Sequence, residues 1–433
     1  MKWKIKFKEC LFNELNTYLF NLSPKENGCF LLANTKGKII FITDIFYPQE
    51  DSWVKRDRDR CIPNSAYISS ACLQANHLNK TLIFVHSHPE EHHPATFSFI
   101  DDISNDKMFE NLKDILNHSI GSFVFSNKGI HGVVFSDSKK QKIESYSVYG
   151  ETINYIIDAG QKTKRLDIEE FDRQIRFMKN SGIDVLSNIN IAIVGLGGIG
   201  SPLAVMLAKM GVKNLSFYDF DKIEVHNLPR IYGATKKSIG KYKVDVVKKH
   251  IKSFSDDIKI KTYYKAIDTQ TDLSIHDVVF GCLDNHTARD TLNKNTLENS
   301  ILYVDSGCAI PLDDKEVVLQ SAISTNVVMN DKPCLWCTNT LNAMTIMEES
   351  LTPEELKQRQ DDGYVQGVEK APSVITLTTA VATFAINRFL NIYKILKGSY
   401  PTKSMFDFNN NIYFEPKLTV NKKCKCINNN PFT

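Results

Sequence analysis

The stretch that decides the fold is Ile189–Arg230, which is INIAIVGLGGIGSPLAVMLAKMGVKNLSFYDFDKIEVHNLPR. It begins with a short, β-branched apolar run that is typical of a buried parallel strand. The turn Gly195-Leu196-Gly197-Gly198-Ile199-Gly200 follows, and then an amphipathic segment that predicts a helix ending at Gly211. The N–H groups at the start of such a helix bind anions. The stretch therefore predicts a nucleotide-binding α/β unit.

The glycines of this turn have separate expected roles. Gly195 permits the tight turn, Gly197 lets the backbone approach a phosphate, and Gly200 lets the helix pack on the strand. A second predicted strand, Asn214–Tyr218, ends at Asp219, where such folds place a carboxylate on a ribose hydroxyl. Dinucleotide oxidoreductases share this pattern. The residues downstream must therefore distinguish an oxidoreductase from another kind of nucleotide-binding enzyme.

Three motifs follow in order. They are Asp219-Phe220-Asp221 with Val225–Arg230, then Gly240-Lys241-Tyr242-Lys243, and then Gly281–Asn285. From about Asp172 to Ala309 the chain resembles the adenylation domain that ThiF/MoeB-type adenylyltransferases share with ubiquitin-activating enzymes. The resemblance implies a doubly wound, Rossmann-like α/β fold that uses ATP and magnesium to adenylate a C-terminal glycine.

The resemblance also assigns roles in the adenylation site. Arg230 and Lys243 would contact the phosphates, Asn227 would lie beside them, Asp219 would hold the ribose, and Asp284 would help to place magnesium. Attack of a carboxylate on the α-phosphate builds negative charge, which cations stabilise. The cations and Asp284 have no task in hydride transfer, so ATP is expected rather than NAD.

A predicted helix precedes the nucleotide strand and begins near Phe171–Arg176. In the activating-enzyme family, the first arginine of a DRQxR segment reaches across a dimer interface toward the partner's ATP. Arg173 matches that position, so the resemblance implies a homodimer. The alternative is an ordinary solvated arginine. One departure from the family is His226, which replaces a small polar residue before Asn227.

The chain has 433 residues, of which 42% are hydrophobic and 24% charged, as in folded globular proteins of two or three domains. A net charge of +3 gives no reason to expect a nucleic-acid partner. Residues Met1–Phe7 alternate like an edge strand rather than a signal peptide, and no apolar run approaches a membrane span. We expect a cytoplasmic protein without a nucleic-acid or membrane partner.

A second chemistry is indicated near the start of the chain. The predicted strand Thr81–Val85 leads into His86-Ser87-His88-Pro89. Residues two apart on a strand share a face, so both imidazoles can bind one metal ion. With Glu26 upstream and Ser98 and Asp101 downstream, the segment resembles the JAMM (JAB/MPN) zinc isopeptidases, which remove ubiquitin and its relatives. The alternative is a pair of surface histidines before a turn.

Five residues match the functional positions of that family: His86, His88 and Asp101 as zinc ligands, Glu26 as general base, and Ser98 beside the tetrahedral intermediate. Three protein ligands leave the fourth position for water. The spacing departs from the family, because Pro89–Phe97 has nine residues where seven are usual. The additional pair falls in Glu90-Glu91-His92-His93, and Asp102 remains a possible substitute for Asp101.

Two close thiol pairs lie in the second half of the chain, namely Cys334 with Cys337 and Cys424 with Cys426. They resemble the structural zinc site of the adenylyltransferases, although the second pair there is commonly CxxC. Four thiolates satisfy tetrahedral zinc and would tie the C-terminal tail to the domain. Redox chemistry or unligated thiols are the alternatives.

Residues 338–423 contain no cysteine, although ubiquitin-activating enzymes usually carry their acceptor thiol there. A thioester in that place is therefore excluded. The adenylate would pass to a separate conjugating enzyme or a sulfur donor. The predicted organisation is a JAB/MPN domain over residues 1–148, a connector over 149–168, and a ThiF-type domain with its cysteine pairs over 169–433.

Three functions remain open. The first is a bifunctional enzyme of a bacterial-type ubiquitin-like modifier pathway, which processes or removes the modifier and adenylates its C-terminal glycine. The second uses the same chemistry on a sulfur-carrier protein for sulfur transfer. The third is a non-catalytic interaction platform, which the complete sets of predicted site residues argue against.

Overall fold

The computed structural model describes residues 2–89, 95–116, 118–161, 168–311, 318–361 and 372–432. The chain divides into two compact units. The first contains Met1–Lys164 together with Pro431–Thr433, and the second contains Arg165–Asn430. The predicted connector residues Lys162–Arg165 lie outside the described residues.

The first unit consists of β1 (Trp3–Lys8), α1 (Glu9–Phe20), β2 (Gly28–Lys36), β3 (Ile39–Phe46), β4 (Trp53–Arg56), β5 (Cys61–Pro63), α2 (Ser65–Leu78), β6 (Thr81–His88), α3 (Phe99–Leu112), β7 (Ile120–Ser126), β8 (Gly129–Ser136), β9 (Lys139–Tyr149) and β10 (Ile153–Ile157). Eight strands form one sheet in the order β1-β3-β2-β6-β7-β8-β9-β10, and β4 pairs with β5 separately. Because β1 also pairs with β9, the sheet closes on itself.

Two expectations for this unit were wrong. Strand β1 is not an edge strand, because it pairs with β3 on one side and β9 on the other. Apolar residues and lysines alternate along β1 because its two faces differ. The apolar face joins the core, and Lys4 and Lys6 on the other face are also covered, being only 2% and 1% exposed. In addition, β10 lies within the expected connector, where it pairs with β9.

The second unit consists of α4 (Ile168–Asn188), β11 (Asn190–Val194), α5 (Gly200–Lys209), β12 (Asn214–Tyr218), α6 (Lys243–Lys252), β13 (Lys259–Tyr263), β14 (Val278–Gly281), α7 (His286–Glu298), β15 (Leu302–Ala309), β16 (Ala322–Val328), α8 (Ala343–Glu349), α9 (Pro353–Asp361), α10 (Ile375–Ile392), β17 (Lys403–Asp407) and β18 (Ile412–Phe414). The predicted strand, glycine turn and helix are confirmed as β11 and α5.

The strands of the second unit form one sheet in the order β13-β12-β11-β14-β15-β16-β17-β18. Pairing is parallel from β13 to β15 and antiparallel beyond it. The chain proceeds from β11 outward to β13 and then returns to β14 on the other side of β11. In doubly wound sheets, ligands bind at the carboxyl ends of the strands where the order reverses in this way.

Helix α10 is long and apolar enough to cross a membrane by length and composition. This corrects the expectation that no run reaches that length. The helix nevertheless packs inside the second unit, since 56% of it is buried and Val381, Ala385 and Phe389 are completely covered. Burial against protein explains its apolar composition.

Candidate functional sites

The glycine turn has two crowded positions and one open position. Gly195 has a φ of +89°, and a Cβ there would lie 2.5 Å from the carbonyl oxygen of Cys282. A Cβ on Gly200 would lie 1.8 Å from the carbonyl oxygen of Gly195. At Gly197, by contrast, no heavy atom of the described residues lies within 4 Å of such a Cβ. The turn is therefore closely packed at Gly195 and Gly200, and it is open at Gly197.

Helix α5 begins at this turn without a side-chain cap from the described residues. In its first turn, however, Ser201 and Leu203 donate their N–H groups to the carbonyl oxygens of Gly197 and Ile199, and Pro202 has no N–H group. The backbone that an anion could approach here is therefore that of the glycine turn which precedes the helix. A Cβ built on Gly198 would lie 3.4 Å from Cδ of Arg230, which places that side chain beside the turn. A positive charge therefore lies next to the N-terminus that the sequence predicts to hold phosphates.

Asp219 fastens the end of β12 to the glycine turn. Its carboxylate accepts hydrogen bonds from the backbone N–H of Leu196 at 2.6 Å and of Asp221 at 2.8 Å. Burial raises the pKa of Asp219 above its ordinary value, and the charge of Lys243 opposes that shift. The structural role of Asp219 is therefore established here, and its contact with a ribose stays a prediction.

Lys243 and Asn227 have partners within the protein. The Nζ atom of Lys243, the first residue of α6, lies 2.7 Å from Oδ2 of Asp221. Asn227 is buried, and its Oδ1 accepts from the backbone N–H of Glu224 at 3.1 Å, which closes the short 3₁₀ turn before Arg230. The side-chain oxygen of Asn227 thus maintains the loop, and its place beside the phosphates stays a prediction.

Asp284 is exposed in the loop after β14. Parallel pairing places Val194 opposite Gly281 and Tyr218, so the segments that follow β11, β12 and β14 meet at one edge of the sheet. This edge brings together the glycine turn, Asp219 and Asp284.

Arg289 holds the loop that carries Asp284, and sequence reasoning missed it. Its Nε and Nη2 atoms donate to the carbonyl oxygen of Leu283 at 3.1 and 2.9 Å. Its Nε also lies 3.4 Å from Oδ1 of Asp305, which is only 1% exposed. The signal was available in the sequence, because an arginine near the N-terminus of a helix opposes the helix dipole and needs an anionic or carbonyl partner.

Asp305 has further partners that keep its buried carboxylate satisfied. It accepts from the hydroxyl of Tyr303 at 3.0 Å and from Nδ2 of Asn326 at 3.1 Å. Buried charges need such complete pairing. The loop with Asp284 is therefore anchored to the centre of the sheet.

Arg173 is exposed on α4. Its predicted role involves a second copy of the chain and stays a prediction.

Four predicted residues of the first unit lie together. One ligand atom each from Glu26, His86 and His88 lies within 4.8 Å of the others, and all three residues are buried. The Nε2 atoms of His86 and His88 each lie 3.4 Å from one oxygen of Asp101. The Oε1 atom of Glu26 lies 3.5 Å from Nε2 of His88. Pairing of Gly28 with His86 across β2 and β6 brings Glu26 beside the histidines.

This cluster fits a zinc ion. His86 is 3% exposed, and neither of its ring nitrogens has a hydrogen-bond partner among the described residues. Leaving a buried polar atom unpaired is costly. Imidazole nitrogens with a carboxylate are a usual ligand set for zinc with an open position. The arrangement therefore provides donor atoms that a metal ion would satisfy.

Asp101 and Ser98 form a capping box at the start of α3. The Oγ atom of Ser98 accepts from the N–H of Asp101 at 3.1 Å, and Oδ2 of Asp101 accepts from the N–H of Ser98 at 2.7 Å. Asp102 instead lies 2.8 Å from Nζ of Lys140. The structure thus places Asp101 beside the histidines. The loop Glu90-Glu91-His92-His93 lies outside the described residues.

The two carboxyl groups of this cluster have opposite pKa shifts. Burial raises the pKa of Glu26 to about 8, with further contributions from the charges of Asp101, Asp59 and Asp57. Burial would also raise the pKa of Asp101, but the imidazoles of His86 and His88, whose Nε2 atoms lie 3.4 Å from its oxygens, hold that pKa below its usual range. Such a division is common where one carboxyl group handles protons and another stays ionised.

The four predicted cysteines also form one cluster. Sγ of Cys334 lies 3.8 Å from that of Cys337 and 3.6 Å from that of Cys424, and Sγ of Cys337 lies 3.8 Å from that of Cys426. A tetrahedral zinc ion with Zn–S bonds of about 2.3 Å requires sulfur separations of about 3.8 Å. The distances therefore fit a Cys₄ zinc site and are too long for disulfides.

Comparison with known proteins gave the following matches. The model of the ThiF family matches residues 171–428. Ubiquitin-like modifier-activating enzyme 5 of Dictyostelium discoideum is 24% identical over 62% of this chain and 70% of that enzyme. Molybdopterin-synthase adenylyltransferase of Escherichia coli (strain K12) is 29% identical over 41% of this chain and 72% of that enzyme. A crystal structure of E. coli MccB aligns with a TM-score of 0.48 and 16% identity, covering 63% of this chain and 75% of that one. Several other curated relatives are matched over little more than half of their length, such as 57% for the Drosophila virilis protein.

Proposed function

The chain belongs to the ThiF family, and we propose that its second unit uses ATP to adenylate the C-terminal glycine of a ubiquitin-like or sulfur-carrier protein. The observation that carries this proposal is the convergence of the glycine turn, Asp219 and Asp284 at the switch point of the sheet, with Arg230 beside the turn. A nucleotide at this edge would meet both the backbone of the glycine turn and cationic side chains.

The residues of this edge have complementary tasks in the proposed reaction. The backbone of the glycine turn and the guanidinium of Arg230 bind the phosphates. Lys243 exchanges its partner Asp221 for a phosphate oxygen, and its charge balances the negative charge that develops as the carboxylate attacks. Asp284, held by Arg289 through the Leu283 carbonyl, contributes a ligand to magnesium.

The activated carrier passes to an acceptor on another molecule. Apart from the four clustered thiols, the second unit contains Cys282 and Cys308. Burial raises the pKa of both thiols, and a thiol with a raised pKa is a poor nucleophile because the thiolate is the reactive form. A separate conjugating enzyme would indicate protein modification, and a sulfur donor would indicate sulfur transfer.

ATP–pyrophosphate exchange tests the adenylation proposal. The purified chain is assayed with a carrier protein encoded beside it, and with the same carrier lacking its terminal glycine. Exchange with the intact carrier alone would support the proposal. Exchange with neither carrier would contradict it.

We further propose that the first unit is a zinc-dependent peptidase that cleaves after the C-terminal glycine of the same carrier. The clustering of Glu26 and Asp101 with the two buried histidines supports this proposal. A zinc ion held by His86, His88 and Asp101 would acidify a water molecule and polarise the scissile carbonyl. Glu26 then removes the proton of the water and delivers it to the leaving amine, and Ser98 supports the tetrahedral oxygen.

Cleavage is tested on a carrier that is extended beyond its terminal glycine. The chain freed of metal by a chelator should be inactive, and zinc should restore cleavage. Cleavage that persists without metal would contradict the proposal.

For the cluster of Cys334, Cys337, Cys424 and Cys426, we propose a structural zinc ion, because its sulfur separations match the tetrahedral geometry.

A further inference from the structure

The segment Pro431–Phe432 belongs to the first unit, although it follows the second unit in the sequence. Phe432 is only 7% exposed. It packs in one apolar cluster with Ile39 and Phe41 of β3, and Tyr149 of β9 borders the same cluster. The chain thus passes between its two units twice, near Lys164 and again after Asn430.

The contacts of this segment involve both its ring and its backbone. The ring of Phe432 lies 5.5 Å from that of Phe41 at an interplanar angle of 87°, and 6.2 Å from that of Tyr149 at 56°. Both separations are in the range of favourable aromatic pairs. The carbonyl oxygen of Pro431 accepts from Nδ2 of Asn34 at 3.0 Å. Recognition of a side chain together with a main-chain group is characteristic of a peptide-binding site.

The lysines of β1 add a cationic border to the same face. Nζ of Lys8 lies 5.8 Å from the ring centroid of Phe432, and Nζ of Lys6 lies 5.5 Å from that of Tyr149. Lys6 is almost completely covered. Ammonium groups at such distances are attracted to aromatic faces, more strongly where water is excluded. The face therefore favours an aromatic residue over an aliphatic one.

We propose that this face of β1, β3 and β9, with Asn34 of β2, is a docking slot for a Pro-Phe segment, and that residues 431–432 occupy it as an intramolecular strap. The strap completes the cover of a face that carries buried lysines. An intramolecular ligand benefits from a high effective concentration, so an external peptide with the same sequence would be excluded from the intact chain.

Peptide binding to the full-length chain tests this proposal. A fluorescein-labelled peptide of residues 427–433 is titrated with the wild-type chain and with the Phe432→Ala variant, whose slot lacks its anchor. A second peptide carries alanine at the Phe432 position. We expect the variant to bind the first peptide at least roughly tenfold more tightly than the wild-type chain does. We also expect the variant to bind the alanine peptide at least roughly tenfold more weakly than it binds the first peptide.

Hydrogen exchange provides a second readout that needs no added peptide. In the Phe432→Ala chain, amides of Ile39–Phe41 should exchange faster than in the wild type, whereas amides of β11 should be unchanged. Equal peptide affinity of the two chains, or equal binding of the two peptides, would overturn the proposal. Unchanged protection of β3 in the variant would also overturn it.

Discussion

The Nε2 atom of His86 lies 3.4 Å from Oδ1 of Asp101, and the other oxygen of the same carboxylate lies 3.4 Å from Nε2 of His88. One side chain from the first turn of α3 thus faces two side chains from the end of β6. This arrangement arises because the capping box fixes Asp101 while alternation along the strand gives both histidines the same face.

Replacement of Asp101 by asparagine should remove zinc from the first unit. An asparagine can still accept the hydrogen bond from Ser98 N–H, so α3 keeps its cap, but the site loses its anionic ligand. Metal analysis should show zinc falling from about two to about one per chain if the Cys₄ site stays loaded. Asp102→Asn is the matched control, because Asp102 pairs with Lys140. A loss of zinc in the control but not in Asp101→Asn would contradict the ligand assignment.

Glu26→Gln should abolish cleavage of an extended carrier while zinc stays bound. Glutamine preserves the shape of the buried side chain and removes its ability to accept a proton. General-base catalysis contributes roughly 10²- to 10⁴-fold, so the rate should fall at least a hundredfold. Adenylation by the second unit should be unaffected, and a loss of both activities would refute the division of labour.

Arg289→Met should lower both stability and adenylation. Methionine fills a similar volume, but the Leu283 carbonyl loses its arginine donor and the buried Asp305 loses its only cationic partner among the described residues, keeping the hydrogen bonds from Tyr303 and Asn326. Removing one partner of a buried ion pair costs about 3–5 kcal/mol, which thermal unfolding can measure. If Arg289 also positions Asp284, the variant should need more magnesium for half-maximal exchange. An unchanged magnesium requirement would restrict Arg289 to a purely structural role.

Cys334→Ser should lower the zinc content by about one ion per chain and reduce the free energy of unfolding of the second unit. Cys334 is completely buried, whereas Cys10 is exposed in the first unit. Cys10→Ser is therefore a control that should leave the zinc content unchanged. Equal zinc content in the wild type and Cys334→Ser would rule out the Cys₄ site.

Local patterns in the sequence predicted the parts of the structure that depend on neighbouring residues. The strand, glycine turn and helix around Gly195 are set by apolar periodicity and by the steric needs of the turn, so all three could be identified from the sequence. The pairing of β1 with β9, which places Trp3 opposite Ile143, could not be identified from the sequence because the paired residues are far apart along the chain. For Arg289, its place near the start of a helix signals the need for a partner, but the sequence does not identify that partner, because Asp305 lies on β15 and only the fold brings it near.

The candidate sites show the same division. His86 and His88 could be predicted to share a face from their spacing alone, whereas the choice of Asp101 over Asp102 required the position of α3 against β6. The docking of Phe432 against Phe41 had no signal in the sequence, since a single aromatic residue near a polar run predicts no partner.

The most direct test of the central claim is carrier-dependent ATP–pyrophosphate exchange by the wild-type chain, compared with Lys243→Ala and Asp284→Ala. We predict exchange in the wild type that requires the terminal glycine of the carrier, and a loss of at least roughly a hundredfold in both variants, with zinc-dependent cleavage retained. Wild-type exchange that survives in both variants, or no exchange with any glycine-ended carrier, would contradict the account.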